Sequence, residues 1–419
     1  MSKLKVGLVG IGGFGKTHLE NLRILENEGR IQLHAVCDIN AELYEENLNQ
    51  FLFQHVRKYK EFDEFLKCEK GLDLVVVATP IPLHKDMCCK AMLAGYNVFL
   101  EKPPAVTVQD IDEMISAKKQ SGKICAIGFQ RTSQKSFVYL KEKLKQGIIG
   151  KIVGIQAAGI YKRTKVYYDR APWVGKLIYN KNYVLDGTVN NPLSHLLNNC
   201  LQLAALQNHE YVAPDWVKGE LYRSNPIEAE DTSCMRIKIK DVEIVFFATL
   251  CAKNPSECFI VIQGTEGSAF WSYTGEIEIK DPAGKVLERF EASQELSALY
   301  RMVRHEHYTN LLEYLEGKTN HLSCTLEDAR NFVLCSNMAF ESSKETHPVK
   351  MIYKEYLDKN NNPVEEIGEG HHYVHLKGIE DIIMKGIAEK KLYSEMKVEW
   401  SVETQPFNNN QYKEFKLYK

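Results

Sequence analysis

The first 130 residues alternate between short apolar runs and longer segments in which apolar residues recur every three or four positions. The short runs predict strands and the longer amphipathic segments predict helices. Strict alternation of strand and helix favours right-handed βαβ units and a doubly wound parallel sheet. We therefore predict an N-terminal α/β domain over residues 1–130. Its predicted strands are Lys5–Val9, Leu33–Cys37, Leu72–Ala78, Val98–Leu100 and Ile124–Gly128, and its predicted helices are Lys16–Asn27, Leu83–Ala94 and Thr107–Ser121.

The pattern changes after residue 130. From Trp216 to Phe290, short apolar segments follow one another with turn residues between them, which is typical of a mostly antiparallel sheet. We predict a second α/β domain with an open sheet over residues 131–350 and a C-terminal extension over residues 351–419. The other predicted elements are the helices Lys135–Gln146, Glu295–Glu316, Leu326–Ser343 and Gly378–Lys390, the strand Lys151–Ile160 and the polar loop Asp358–Gly370.

Composition narrows the class of protein. With 26% charged residues and a net charge of −2, the chain has no electrostatic reason to bind nucleic acid or an anionic membrane surface. No run reaches the roughly 18 apolar residues of a membrane span, and no signal segment precedes the first strand. The eleven cysteines lack paired spacing, and Cys37, Cys125 and Cys234 fall in apolar strands, which favours a reducing compartment. We therefore expect a cytoplasmic protein.

A glycine-rich loop follows the first predicted strand. The segment Gly10-Ile11-Gly12-Gly13-Phe14-Gly15-Lys16-Thr17 matches the dinucleotide pattern GxGxxG and, formally, the phosphate-loop pattern GxxxxGKT. A phosphate-loop enzyme needs a later apolar strand that ends in an Asp for magnesium, whereas Leu74–Ala78 is followed by Thr79-Pro80. A dinucleotide fold needs an acid after its second strand, and Asp38 is in that position. We predict that the dinucleotide is bound by Gly10, Gly12, Gly13, Phe14, Gly15 and Asp38.

Asp38 also indicates which dinucleotide is bound. A carboxylate accepts hydrogen bonds from the ribose 2′-hydroxyl of NAD, and it repels the 2′-phosphate of NADP. The next residues, Ile39 and Asn40, provide no cation that would reverse this preference. NAD is therefore the predicted cofactor, with NADP less favoured.

Three further motifs are specific in combination. Thr79-Pro80 is followed by His84 four residues after the proline, Glu101-Lys102-Pro103 follows the strand Val98–Leu100, and Gly128-Phe129-Gln130-Arg131 comes later. With the glycine loop, this set closely resembles the glucose–fructose oxidoreductase, inositol dehydrogenase and rhizopine-catabolism (Gfo/Idh/MocA) family over roughly residues 1–345. The resemblance implies a Rossmann domain and an α/β domain whose open sheet often forms the subunit interface, and hence a homodimer or homotetramer. It also implies cofactor contacts from Thr79, Pro80, His84, Glu101, Lys102 and Gln130.

Lys102 is the first candidate catalytic residue. Its motif lies just past the carboxyl end of a parallel strand, where open α/β sheets bind their ligands. A lysine beside the nicotinamide in a partly dry crevice can hydrogen-bond the reacting oxygen and lower the pKa of the hydroxyl that is oxidised. The resemblance also suggests a cis peptide bond before Pro103. The alternative is a solvated lysine at the end of a strand.

His195 is the second candidate catalytic residue. The family usually carries Asp-x-Gly-x-His-x-x-Asp here, and this chain has Asn191, Leu193, His195 and Asn198 at those places. The histidine is kept, and both acids are replaced by amides. His195 would act as the general base, because its ordinary pKa is near working pH. Asp186 is a possible replacement acid, and an ordinary helix histidine is the alternative.

A third cluster is rich in aromatic residues and arginine. Aromatic rings stack on sugar rings, and arginine can bind hydroxyls or an anion through two N–H groups. The same composition also occurs in plain subunit contacts. The predicted substrate-binding residues are Tyr161, Arg163, Tyr168, Arg170 and Trp173, together with Asn191 and His195.

No metal site is expected. His305 with His307, and His371, His372 and His375, have spacings that metal ligands can adopt, but neither set has a partnering Cys or Asp cluster.

The predicted activity is NAD-dependent hydride transfer at a hydroxyl or carbonyl carbon of a sugar, inositol or sugar acid. One alternative is an NAD-dependent glycosidase or lyase with transient substrate oxidation, for which Tyr168 or Asp186 would supply a further base. The other is a non-catalytic regulator that binds NAD and a sugar. Retention of both Lys102 and His195 argues against the regulator.

Overall fold

The computed structural model describes residues 3–40, 42–53, 55–207, 212–293, 295–357, 363–364 and 372–418. The contacts within the chain divide it into two compact units. The first unit consists of Met1–Ala105, Gln109–Ser133 and Ser297–Arg330, and the second of Val106–Val108, Gln134–Leu296 and Asn331–Lys419. Residues 297–330, which the sequence-based boundaries assign to the second domain, pack within the first unit.

The first unit contains a parallel sheet of six strands. The strands are β1 (Leu4–Val9), β2 (Ile31–Cys37), β3 (Arg57–Tyr59), β4 (Leu74–Val77), β5 (Asn97–Leu100) and β6 (Cys125–Ile127), and the helices are α1 (Gly15–Asn27), α2 (Glu42–Gln50), α3 (Phe62–Cys68), α4 (His84–Leu93) and α5 (Val108–Ser121). The spatial order β3-β2-β1-β4-β5-β6 is that of a doubly wound dinucleotide-binding fold. The predicted fold class of this domain is confirmed.

Five of these strands match predicted strands, with bounds that differ by at most two residues. The sequence pattern does not predict β3, because Arg57-Lys58-Tyr59 is short, polar and located at the edge of the sheet. It also misses α2 and α3 on either side of β3. With β3 included, Glu101-Lys102-Pro103 follows the fifth strand of the sheet.

The second unit contains a mixed, mostly antiparallel sheet. Its elements are α6 (Lys135–Lys145), β7 (Ile152–Lys162), α7 (Lys165–Asp169), the hairpin β8 (Ile178–Tyr179) and β9 (Asn182–Tyr183), α8 (Ser194–Ala205), β10 (Trp216–Arg223), β11 (Thr232–Ile239), β12 (Val242–Thr249), β13 (Cys251–Gly264), β14 (Gly267–Ser272), β15 (Ile277–Lys280) and β16 (Val286–Phe290). Along the sheet these strands run β16-β15-β14-β13-β7-β12-β11-β10. β7 pairs in parallel with β12 and antiparallel with β13. The predicted open, mostly antiparallel sheet is confirmed.

Two helices follow the sheet, α9 (Leu296–Leu315) and α10 (Leu326–Ser343), as predicted. Tyr308, Leu311 and Leu312 of α9 are buried in the same apolar cluster as Leu8 and Val76 of the parallel sheet. α9 (Leu296–Leu315) therefore contributes to the core of the first unit, although it is far in sequence from β6, which ends at Ile127.

The C-terminal extension packs on one face of the mixed sheet. The short strand β17 (His347–Pro348) precedes the extension, whose elements are β18 (Ile352–Leu357), β19 (Pro363–Val364), β20 (His372–Leu376), α11 (Ile379–Glu389) and β21 (Phe407–Asn408). α11 buries Ile379 and Ile383 in a cluster with Ile160 and Phe247 of the sheet. Gly386 allows this close packing, because a Cβ there would lie 2.4 Å from the Phe247 ring. The predicted polar loop at 358–370 lies outside the described residues except for 363–364, and so does His371.

The cysteines are free thiols in the part of the chain that the structure describes, and Cys37, Cys125 and Cys234 are buried in strands as predicted. Among the described residues, no helix combines the length and the apolar character that crossing a bilayer requires.

Candidate functional site

The glycine loop connects β1 to α1 and needs its glycines for steric reasons. Gly10 has a φ of +85°, and a Cβ there would lie 2.7 Å from the carbonyl oxygen of Ala78. A Cβ on Gly15 would lie 2.2 Å from the carbonyl oxygen of Gly10. The first turn of α1 carries no acidic side chain, and no side chain caps its N-terminus. These features fit the binding of a phosphate group, since backbone N–H groups and the helix dipole favour an anion there.

The peptide group of Ile11 is held from both sides. Its N–H donates to Oδ2 of Asp38 at 2.8 Å, and its carbonyl accepts from Nδ2 of Asn47 at 2.8 Å. The other oxygen of Asp38 accepts from the N–H of Asn40. The predicted ribose ligand Asp38 is therefore half-buried directly beside the loop. Asn47, on α2, is a supporting residue that the sequence analysis missed, because α2 itself was not predicted.

His84 connects two predicted cofactor-binding motifs. Its Nε2 lies 2.8 Å from the carbonyl oxygen of Thr79, and its Nδ1 lies 2.8 Å from the carbonyl oxygen of Pro103. Burial lowers the pKa of His84, and the two carbonyl acceptors oppose this shift because they favour an N–H at both positions. His84 thus fastens the Thr79-Pro80 turn to the Glu101-Lys102-Pro103 segment. The Lys102–Pro103 peptide bond is cis, as the resemblance suggested.

Glu101 is the centre of a buried hydrogen-bond chain. Its Oε1 accepts from Nε2 of His18 at 3.0 Å, and its Oε2 accepts from the backbone N–H of Lys102 at 3.1 Å. Burial alone would raise the pKa of Glu101, but the contact with His18 and the charge of Lys102 hold this pKa below its ordinary value. Burial raises the pKa of Tyr308 well above its ordinary value, so the hydroxyl donates to Nδ1 of His18 at 2.5 Å. This chain fixes the backbone on which Lys102 is carried.

A small cleft, partly open to solvent, lies within the first unit beside this chain. Among the predicted residues, Phe14, Glu101 and Gln130 line it. His307 of α9 also lines it, and burial lowers the pKa of His307 to about 4. The neutral ring donates from Nε2 to the carbonyl of Ile127 and accepts at Nδ1 from the Ser133 hydroxyl. The other lining residues are Thr17, His18, Asn21, Phe99, Arg304 and Tyr308.

The sequence analysis missed the contributions of His18, Arg304, His307 and Tyr308. The last three lie on α9, far from the strand motifs in sequence, so only the folded chain brings them to the cleft. The two adjacent polar residues His307 and Tyr308 within an apolar helix pattern were the available signal.

In the second unit, α8 begins at Ser194 and carries His195 in its first turn. The residue that replaces the family's first acid, Asn191, donates from Nδ2 to Oδ1 of Asp186 at 2.7 Å. Asp186 is 5% exposed and also accepts from the N–H of Gly175 at 2.9 Å. The Asp186 carboxylate therefore lies next to the Asn191 side chain, although Asp186 precedes Asn191 by five residues in the chain.

The predicted aromatic and arginine cluster forms a continuous stack. The Arg163 guanidinium lies 5.1 Å from the ring centre of Tyr161 and 5.0 Å from that of Tyr167. Arg170 lies 3.7 Å from the ring centre of Tyr167 and 5.5 Å from that of Trp173. Arg170 also lies 3.9 Å from the Asp186 carboxylate, which joins the stack to the Asn191 contact. Tyr168 lies beside Tyr167, and its hydroxyl is 3.4 Å from the amide of Asn225.

Polar groups without partners surround the start of α8. Glu230 is fully buried; its Oε1 accepts from the N–H of Val189, while its Oε2 has no hydrogen-bond partner among the described residues. Burial raises the pKa of Glu230 to about 8, so the carboxyl group is mostly protonated at neutral pH. Asn198 and Asn199 are also fully buried, and no described residue hydrogen-bonds either side-chain amide.

The structure thus places every predicted cofactor-binding residue in the first unit and every predicted substrate-binding residue in the second. Lys102 belongs to the first unit and His195 to the second, and their catalytic pairing stays a prediction. Within the described ranges, no group of three or more His, Cys, Asp or Glu side chains is arranged to hold a metal ion.

Comparison with known proteins matches the N-terminal part of the chain to a described family. The family described as "Oxidoreductase family, NAD-binding Rossmann fold" matches residues 4–129. The inositol 2-dehydrogenase of Salmonella typhimurium is 33% identical over 148 residues, which are 35% of this chain and 43% of that protein. The myo-inositol 2-dehydrogenase of Thermotoga maritima is 28% identical over 148 residues, 35% of this chain and 42% of that protein. The matched region spans less than half the length of these relatives.

Solved structures resemble the fold over most of the chain. The WlbA dehydrogenase of Bordetella pertussis, in complex with NADH and UDP-GlcNAcA, has a TM-score of 0.65 at 22% identity and covers 82% of this chain and 97% of its own. A levoglucosan dehydrogenase in complex with NADH and levoglucosan has a TM-score of 0.68 at 18% identity and covers 81% of this chain and 97% of its own. Residues 4–129 of this chain thus match the NAD-binding Rossmann domain of the Gfo/Idh/MocA oxidoreductase family.

Proposed function

We propose that this chain is an NAD-dependent oxidoreductase that acts at a hydroxyl or carbonyl carbon of a sugar, inositol or sugar acid. One observation carries the proposal: the glycine loop, Asp38 and Glu101-Lys102 follow β1, β2 and β5, so they meet at the carboxyl edge of one parallel sheet. Open α/β sheets bind their ligands at this edge. The inositol 2-dehydrogenases among the relatives support the class of reaction.

The residues of the first unit fit a nicotinamide dinucleotide. The glycine loop and the uncapped start of α1 would hold the pyrophosphate, and Asp38 would hold the adenosine ribose. The dinucleotide, when bound, supplies or accepts the hydride. We favour NAD over NADP, because the Asp38 carboxylate would repel a 2′-phosphate.

Lys102 and His195 are assigned the proton chemistry. Lys102 would donate a hydrogen bond to the reacting oxygen of the substrate, and the ionised Glu101 holds the backbone N–H of Lys102 in place. His195 would accept the proton of the substrate hydroxyl during oxidation and return it during reduction. Asp186 holds the amide of Asn191 one helical turn before His195. This contact supports the idea that Asp186 takes over the orienting role of the acid that the family usually has at the Asn191 position.

The stacked cluster is proposed to recognise the substrate. The faces of Arg163 and Arg170 are covered by aromatic rings, and one N–H group of each donates to a backbone carbonyl, that of Lys162 and that of Tyr167. The other N–H groups would bind hydroxyls or a carboxylate of the substrate. Tyr161, Tyr168 and Trp173 would add apolar surface for a sugar ring. We therefore expect polyols and sugar acids to be better substrates than simple alcohols.

A substrate panel tests the proposal. The purified protein is incubated with NAD and a series of sugars, inositols and sugar acids, while absorbance at 340 nm and the products are followed. Stoichiometric NADH and an oxidised product are the expected result. Bond cleavage without net NADH would indicate the lyase or glycosidase, and tight NAD binding without turnover would indicate the regulator. Either outcome overturns the proposal.

We propose that the chain self-associates through only a part of the C-terminal sheet. The C-terminal extension covers the face of β7, β10, β11 and β12, whereas Val261 and Phe270 of β13 and β14 remain half-buried on that face. A homodimer or homotetramer would therefore use the β13–β16 part of the face. Sedimentation velocity of Phe270→Glu should show a smaller assembly than the unaltered chain, and unchanged assembly would exclude this surface. The cytoplasmic location remains a prediction.

A further inference from the structure

A cleft-lining arginine in the first unit has no assigned role. Arg304 lies on α9 and lines the cleft together with Phe14 and Thr17, which stand at the start of α1. Among the described residues that line this cleft, Arg304 is the only one with a permanent positive charge. Because Arg304 lies beside the glycine loop, its charge favours the binding of an anion there.

The contacts within the chain do not satisfy the hydrogen-bond donors of the Arg304 side chain. Its Nε is buried without a hydrogen-bond partner among the described residues, and the Glu20 carboxylate is 3.9 Å from its Nη2. A contact of this length between partly exposed groups contributes little. Burial lowers the pKa of Arg304, and the positive charges of Arg301 and Arg131 lower it further, while the carboxylates of Glu20 and Glu101 oppose this shift. A cluster of like charges beside a cleft is favourable when an anion is bound there.

The other cation near the loop points elsewhere. Lys16, the residue that would contact phosphate in a phosphate-loop enzyme, has its Nζ 2.9 Å from Oε1 of Glu46 on α2. The start of α1 has no acidic side chain that would compete with an anion. Lys16 does not line the cleft, so the positive groups that face the cleft at this end of α1 are the backbone N–H groups of the helix and the Arg304 guanidinium.

We propose that Arg304 is a ligand of the pyrophosphate of the bound dinucleotide and faces it from the side opposite the glycine loop. A guanidinium group suits this role, because its planar set of N–H donors can bind two phosphate oxygens at once. This inference rests on the proposed dinucleotide binding of the first unit and adds a residue that the strand motifs do not include.

Binding measurements on the full chain test the inference. Calorimetric titrations with NADH and with ADP-ribose, which keeps the pyrophosphate but lacks the nicotinamide, are compared for the unaltered protein and Arg304→Gln. The Kd should rise about 10-fold or more for both ligands, as expected for loss of a charge-assisted hydrogen bond. Arg304→Lys should give an intermediate Kd, because the charge is kept and the fork is lost. The salt dependence of Kd should weaken in Arg304→Gln.

Two matched variants separate a direct contact from other causes. Arg301→Gln removes a neighbouring charge on the same helix that does not line the cleft, and it should change Kd less than about threefold. Glu20→Gln removes the distant carboxylate partner, and it should leave Kd unchanged or lower it. Equal losses of affinity in Arg301→Gln and Arg304→Gln would overturn the inference. They would indicate a general electrostatic effect of the positive charges instead of a direct contact.

The other possible results of these measurements also test the inference. A loss for NADH but not for ADP-ribose would move Arg304 to the nicotinamide side, and a raised KM for substrate with unchanged Kd values would assign it to the substrate. Both overturn the pyrophosphate contact while leaving the proposed function standing. If the unaltered protein binds neither ligand, the proposed function itself fails. Circular dichroism and the Tm of Arg304→Gln and Arg304→Lys show whether the variants are folded.

Discussion

The histidines around the cleft of the first unit and the asparagines of α8 in the second unit differ in how their buried polar groups are hydrogen-bonded. Around the cleft, His18, His84 and His307 each have both ring nitrogens within hydrogen-bond distance of a partner. On α8, the amides of Asn198 and Asn199 are fully buried without a hydrogen bond from any described residue.

This difference separates two kinds of functional region. An unsatisfied buried polar group destabilises a folded protein by about 1–3 kcal/mol, so such groups persist mainly where function retains them. The hydrogen-bonded histidines around the cleft suit a preorganised binding site, in which the Nε of Arg304 is left without a partner among the described residues. The unsatisfied groups on α8 share their helix with His195, the candidate base. Variants of the first region should therefore change binding, and variants of the second should change chemistry or stability.

The largest effect is expected at His195. His195→Ala should lower kcat by about 100-fold or more, because a general base contributes about 10²–10⁴-fold to the rate. The Kd of NADH should change less than about threefold, since the proposed dinucleotide ligands are in the first unit. Initial rates and NADH fluorescence titrations measure both quantities, with His372→Ala as the control histidine. A kcat of His195→Ala within about threefold of the unaltered protein would show that His195 is not the general base.

Glu230 should make stability depend on pH. Burial raises its pKa from 4.5 to about 8. Between these values the folded state keeps a proton that the unfolded state releases, so the free energy of unfolding should fall as pH rises from about 5 to about 8. The slope is at most about 1.4 kcal/mol per pH unit. Urea unfolding across this range should show a flatter profile for Glu230→Gln, whereas the exposed control Glu228→Gln should keep the slope. Identical profiles for both variants would mean that Glu230 titrates normally.

Asn191→Asp tests why this chain carries an amide beside Asp186. The new carboxylate would replace an amide that lies 2.7 Å from Oδ1 of Asp186, so the two charges would repel each other. The free energy of unfolding should fall by about 1–3 kcal/mol at pH 8 and recover toward pH 5, where one carboxyl group gains a proton. The double variant Asp186→Asn/Asn191→Asp restores one acid and one amide and should regain stability. If Asn191→Asp is as stable as the unaltered protein at pH 8, the contact between the side chains of residues 186 and 191 is contradicted.

In the first region, Asp38→Asn should change the choice of cofactor without a large loss of turnover. The asparagine can still accept from the N–H of Ile11, while the charge that repels a 2′-phosphate is lost. The ratio of kcat/KM for NAD to that for NADP should fall by about 10-fold, equivalent to about 1.4 kcal/mol. Unchanged discrimination would place the ribose away from Asp38.

The smallest effect is expected for Asn198→Leu. Leucine has a similar volume and removes an amide that no described residue hydrogen-bonds, so the free energy of unfolding should rise by about 1 kcal/mol. Asn21→Leu is the contrasting control in the first unit, because Nδ2 of Asn21 donates to the carbonyl of Thr17 and the variant should be destabilised. Chemical unfolding measures both variants. Destabilisation of Asn198→Leu would show that its amide is satisfied in solution.

Local patterns were sufficient for most of the architecture. The apolar periodicity predicts the central strands β1, β4 and β5 because a strand covered on both faces must be apolar throughout. The glycine loop was predictable because only glycine tolerates the close approach of Ala78 to Gly10. The short polar edge strand β3 was not, because a strand paired on one side has no such requirement.

The sequence by itself determined the family resemblance of the N-terminal domain, most of the strands and helices, and the motifs at the carboxyl edge of the parallel sheet, since each depends on neighbouring residues. The tertiary structure alone decided that α9 brings Arg304, His307 and Tyr308 to the cleft and that Asp186 faces Asn191. It also decided that α11 covers one face of the second sheet. These contacts depend on the long-range burial of apolar surface, which brings together residues whose spacing in the chain carries no signal.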